Sequence, residues 1–150
     1  LARYLRPQLE ALGVLPDRLT DERLEAVAKA QQERARTMKE MAENSLFFFN
    51  DVTAYEEKAA MKNLTAESAP LLAAARDRLA GLAEWAAPAI HDAINAVAAE
   101  QGVGLGRVAQ PVRVAVAGGS VSPPIDGTLA ILGREETLAR LERAIAHARG

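Results

Sequence analysis

The side chains in this sequence that could do acid–base, metal or nucleophilic chemistry are few and scattered. Two histidines, His91 and His147, fall in separate predicted helices, outside any His-Glu-x-x-His pattern, and no cysteine completes a zinc set. Both read as solvent-facing or helix-terminal residues. Gly102, Gly104 and Gly106 superficially resemble a phosphate loop. They lack the Gly-Lys-Ser/Thr ending, the dinucleotide spacing and a preceding strand, and so read as a flexible connection. The pairs Glu56-Glu57 and Glu135-Glu136 stand near predicted helix starts, where acids complement the helix dipole. No serine has a nucleophile-elbow context. The expectation is a chain with no catalytic residue and no metal site.

The basic residues are more informative. Arg34, Arg36 and Lys39 are interleaved with Glu33, Glu40 and Glu43, the pattern of a solvated, salt-bridged face. Arg113 differs: it is the one charge in the apolar run Val112–Ala117, just before a glycine pair. Such an arginine either snorkels to solvent or is held for a purpose, and pattern alone leaves the two readings level. The largest aromatic mass, Leu46-Phe47-Phe48-Phe49, reads as core at a junction between packed units rather than a base-stacking platform.

The elements that must position these residues follow from composition and period. The chain has 150 residues, 32 of them alanine, with 4% aromatics, 25% charged residues and a formal charge of −2. That balance is that of a folded domain, favours helix, and lacks the basic excess of a non-specific nucleic-acid coat. No apolar run reaches membrane-spanning length, no signal peptide is visible, and the lack of cysteine gives no hint of secretion. Leu5, Leu9 and Leu12 predict a first helix ending at Gly13, and Thr20 caps a long second one predicted to run to about Glu43. Asn44 to Asp51 breaks the pattern. Thr53 and Glu56 form a capping box before a short helix ending near Asn63. Further helices are predicted from Thr65, from Pro88 to Gly102, over Val112–Ala117, after Ser122 as an N-cap, and through Leu138, Leu141 and Ile145. Val112–Ala117 alternates like a strand, but no second strand exists to satisfy its ladder groups. The total is about eight helices and no sheet.

The stretch Gln110-Pro-Val-Arg-Val-Ala-Val-Ala-Gly-Gly-Ser-Val-Ser-Pro-Pro, running on to Leu132-Gly-Arg-Glu and Thr137-Leu-Ala-Arg-Leu, resembles the C-terminal anticodon-binding region of bacterial glutamyl-tRNA synthetases. Glu33 to Ala42 and the Phe cluster resemble that family's long helix and aromatic junction, so the likeness covers nearly the whole chain. It implies an all-α fold of two packed helical subdomains, residues 1–52 and 53–150, following the catalytic domain of a class I synthetase. The two signature elements of that catalytic domain are missing here, and the chain begins at Leu1 without an initiator Met. The resemblance therefore implies a cytoplasmic tRNA-reading portion of a glutamate–tRNA ligase. Its partners would be tRNA(Glu) and the catalytic domain of the same polypeptide, without membrane or DNA. This chain would hold no cofactor; ATP and Mg would belong to the catalytic domain.

Carried over residue by residue, the resemblance places an anticodon-discriminating arginine at Arg36, with Arg34 as the alternative. It places a second arginine at Arg113, and a contact group after the turn at Ser122, Pro123 and Ile125. The family often has Thr-Gly where this chain has Ala117-Gly118. The residue types suit anticodon reading. An anticodon loop offers unstacked bases, and a guanidinium can donate two parallel bonds to a base edge or stack on its face. Pro123 and Pro124 remove N–H groups that would favour phosphate, so an apolar contact with a base or ribose is expected there. A competing reading is a helical protein-interaction module, with the Phe cluster or the Leu stripes docking a partner, which predicts an exposed Phe47–Phe49 patch.

Overall fold

The computed structural model describes all 150 residues, Leu1 to Gly150. It contains nine α-helices, one 3-10 turn and no strand, and divides into two units, Leu1–Asp51 and Val52–Gly150.

The first unit packs α1 (Ala2–Ala11), α2 (Asp21–Gln31) and α3 (Met38–Phe49) pairwise, with a 3-10 turn at Pro16–Arg18. Leu5, Leu9, Leu24, Val27, Met41 and Phe48 fill its core. Thr20 caps α2 as expected, its hydroxyl accepting from the Arg23 amide at 3.3 Å. The long helix predicted to Glu43 is corrected: α2 stops at Gln31 and residues 32–37 form a turn. Thr37 then caps a new helix, its Oγ1 accepting from the Glu40 amide at 3.0 Å. Thr37-x-x-Glu40 carries the capping signature that the apolar period overran. The reversal lets buried Gln31 donate to the Asn44 carbonyl and the Ser45 hydroxyl, both at 3.2 Å. The expected break at Asn44 is likewise corrected, since α3 runs on through Phe49. Its last carbonyls are met by arginines: Arg23 Nη1 donates to Phe48 O at 2.7 Å and Arg18 Nη1 to Phe49 O at 3.4 Å.

The second unit comprises α4 (Glu57–Asn63), α5 (Ala69–Ala80), α6 (Ala87–Gln101), α7 (Gly106–Ala117), α8 (Ile125–Leu132) and α9 (Arg134–Arg149). Helix α5 packs on α6, α7 and α9, and α7 in turn contacts α4, α6, α8 and α9. The Val112–Ala117 run is helical as expected, but its helix starts earlier, at Gly106. Three caps differ from expectation. Thr53 caps nothing; the Glu56 amide instead donates to the Gly118 carbonyl at 2.7 Å, and α4 starts after it. Thr65 forms a separate turn with Ser68, and α5 begins at Ala69. Ser122 does not cap α8, because a residue preceding proline is pushed out of the helical region. Pro123 therefore cannot open the helix, which starts only after Pro124.

Candidate nucleic-acid interface

Helix α7 is nearly all core. Val108, Val112, Val114, Ala115 and Val116 are buried, and Pro111 is buried beside them. Arg107, Gln110, Arg113 and Ala117 recur at three- and four-residue spacing and form its open stripe. Arg113 is half-buried there, and its Nε donates to Ser122 Oγ at 2.8 Å. The Ser122 hydroxyl in turn donates to the Pro123 carbonyl at 2.7 Å, which also accepts from Thr128 Oγ1 at 3.1 Å. Ser122 and Thr128 are buried, so this is a built polar cluster rather than a chance surface contact.

The turn between α7 and α8 is pinned from both sides. Arg140 of α9, 2% exposed, donates from Nη1 to the Val116 carbonyl at 2.6 Å, taking one of the orphan acceptors at the end of α7. Gly118 has φ +81°, and a Cβ there would meet Val52 Cγ1 at 3.1 Å and Ala54 O at 3.3 Å. Only glycine gives this backbone conformation and this close approach without strain. The structure thus brings Arg113, Ser122 and Pro123 together, with Ile125 partly exposed at the start of α8. Pro123 itself is buried; the exposed apolar surface of the turn is Val121, with Pro124 beside it.

Arg34 and Arg36 lie elsewhere than predicted. They are in the turn between α2 and α3, not on a helix, and both are exposed. Lys39 follows in the first turn of α3. Phe48 and Phe49 are buried and Phe47 is half-buried, its ring 4.1 Å from that of Phe48, so the exposed patch of the protein-interaction reading does not form. His91 and His147 are exposed, and His147 meets the Tyr55 ring edge-on at 4.9 Å. Burial pushes the Tyr55 phenol above its usual value, opposed by the nearby charge of Arg143. No three His, Asp or Glu side chains converge as a metal set, and no helix is long and apolar enough to cross a membrane.

The helices and the Arg113 cluster define a strand-free, all-α domain pair with its polar cluster built at an interhelical turn. The family is specific: the chain belongs to the anticodon binding domain family, whose model matches residues 1–145. It is 52% identical over 145 residues to glutamate–tRNA ligase 1 of Alkalilimnicola ehrlichii, covering 97% of this chain and 30% of that protein. It is 50% identical to glutamate–tRNA ligase 2 of Halorhodospira halophila, covering 96% and 30%. The solved glutamate tRNA ligase of Elizabethkingia meningosepticum superposes with a TM-score of 0.83 at 27% identity, covering 95% of this chain and 28% of that one. The chain thus spans about 30% of the length of these curated relatives.

Proposed function

We propose that this chain reads the anticodon of tRNA(Glu) as part of a cytoplasmic glutamate–tRNA ligase. The aminoacylation itself, with ATP and Mg, is assigned to a catalytic domain outside this sequence. The observation that carries the reading is the family match over residues 1–145, and the half-buried, hydroxyl-oriented Arg113 is consistent with it. An arginine oriented through Nε presents a planar guanidinium of the kind that stacks on bases. Arg113, with Ser122 behind it and Ile125 nearby, contacts one unstacked base, while Val121 and Pro124 supply apolar surface. Exposed Arg36, with Arg34 as the alternative, discriminates another.

The test is direct binding of tRNA(Glu) to the chain, with tRNA(Gln) as competitor. Arg36→Ala is expected to erode the preference between the two tRNAs by about 1–3 kcal/mol, the scale of one bidentate base contact. Equal weakening of both would remove the discriminating role from Arg36.

A further inference from the structure

A second polar groove adjoins the Arg113 cluster and contains none of the residues assigned above. Glu56, Lys58, Lys62, Asn63, Gln110 and Ser120 line it, around a volume of about 330 Å³. Gln110 is one helical turn before Arg113 on the open stripe of α7, and Ser120 is two residues before Ser122 on the same turn. The groove is thus linked to the arginine through one stripe of α7 and one turn. Its geometry is held by the Glu56 amide bond to Gly118 and by Gly119, where a Cβ would lie 3.1 Å from the Glu56 carboxylate.

Lys58 and Lys62 are exposed on one face of α4 at i and i+4, a like-charge spacing that is mutually repulsive. Neither is ion-paired. A polyanion laid across them relieves that repulsion. Glu56 carries the opposing charge and confines an anion to the lysine side. Gln110, Asn63 and Ser120 offer hydrogen-bonding groups for sugar and phosphate oxygens. We propose that this groove seats a phosphodiester of the single-stranded RNA next to the base at Arg113, with Lys58 and Lys62 taking its charge. The assignment rests on the anticodon reading and extends it. It provides a sequence-independent anchor that sets the register of the loop on α7, and it leaves base choice to the arginines.

The experiment measures binding of a labelled tRNA(Glu) anticodon stem-loop to the full chain across a salt series. Lys58→Ala/Lys62→Ala removes two exposed side chains, and circular dichroism checks that the fold is kept. The expected result is an affinity loss of about tenfold, the scale of one or two charge-assisted contacts. The slope of log K against log salt should become shallower by about 0.7, the value for one single-strand phosphate contact. The loss should be equal for the tRNA(Gln) loop, because phosphate contacts carry no sequence information. An Arg3→Ala/Arg149→Ala control removes the same charge outside the groove and is expected to change little. Wild-type affinity and slope in the lysine variant overturn the groove while leaving the anticodon reading intact. Equal loss in the control also overturns it, in favour of general charge. A wild-type chain that binds neither loop overturns both readings.

Discussion

At Arg113 a buried hydroxyl helps to orient the guanidinium. Ser122 is 6% exposed, and its Oγ links Arg113 Nε to the Pro123 carbonyl. Ser122→Ala should cost about 1 kcal/mol of stability, the usual net worth of a buried hydrogen bond. It should also loosen the orientation of Arg113, so tRNA(Glu) affinity falls by more than the small stability change implies. Unchanged affinity in that variant, measured by anisotropy, would separate Ser122 from the interface. Arg113→Lys keeps the charge but loses the planar fork. It should weaken binding and relax base preference, as Arg113→Ala should more strongly, with the salt slope little changed in both because the contact is to a base and not to a phosphate. Arg113 was visible in the sequence as a lone charge in an apolar run. Its partner was visible only through the family resemblance, since nothing in Ser-Pro-Pro by itself points back nine residues to α7. Gly118 was visible only as a helix stop, and its contacts with Val52 and Ala54, like the bond from Arg140 to the Val116 carbonyl, gave no signal because they join residues distant in sequence.

Elements were legible where local chemistry and packing agree. Helices α1 and α6 follow their apolar stripes, and α6 ends on Gly102 at φ +66°, the left-handed stop that glycine supplies. Helix α7 follows from the lack of a pairing strand. Where apolar period and capping chemistry disagreed, capping prevailed: Thr37 divides the predicted long helix, and eight helices become nine. Thr37→Ala should therefore cost about 1 kcal/mol and lower the melting temperature of the chain. A neutral result would mean that the Gln31 side-chain bonds hold the α2–α3 reversal without the cap. Where a long-range backbone bond competed with a local cap, the long-range bond prevailed, as at Glu56 and Gly118. Gly118→Ala tests that bond. The positive φ and the close Val52 and Ala54 contacts should together cost about 1–3 kcal/mol, the range for strained backbone. Because the turn carries Ser122, tRNA affinity should fall with it.

For the molecule as a whole, the balance of charge separates a selective reader from a general RNA-binding surface. Eighteen basic residues against twenty acidic ones leave the chain at −2, so its long-range field gives polyanions no net attraction. Several cations are also committed internally: Arg6 to the Leu19 carbonyl and Asp21, Arg78 to Glu100, and Arg134 to the Ala80 carbonyl. On the proposed reading RNA meets a few placed cations: the exposed arginines of the α2–α3 turn, Arg113 on α7, which also donates to Ser122, and the lysine pair on α4. Non-specific affinity scales with the number of phosphates neutralised, and a few contacts give little of it. Heparin or duplex DNA, in mass excess at physiological salt, should therefore fail to displace a bound tRNA(Glu) anticodon stem-loop. A stem-loop with altered anticodon bases should itself bind about tenfold more weakly or worse, since one lost bidentate contact is worth about 1–3 kcal/mol. Competition by heparin as effective as by the cognate loop would show that net attraction, not placed arginines, governs binding. In that case the same charge-reducing substitution at any exposed basic residue would weaken the complex equally, whatever helix or turn carries it.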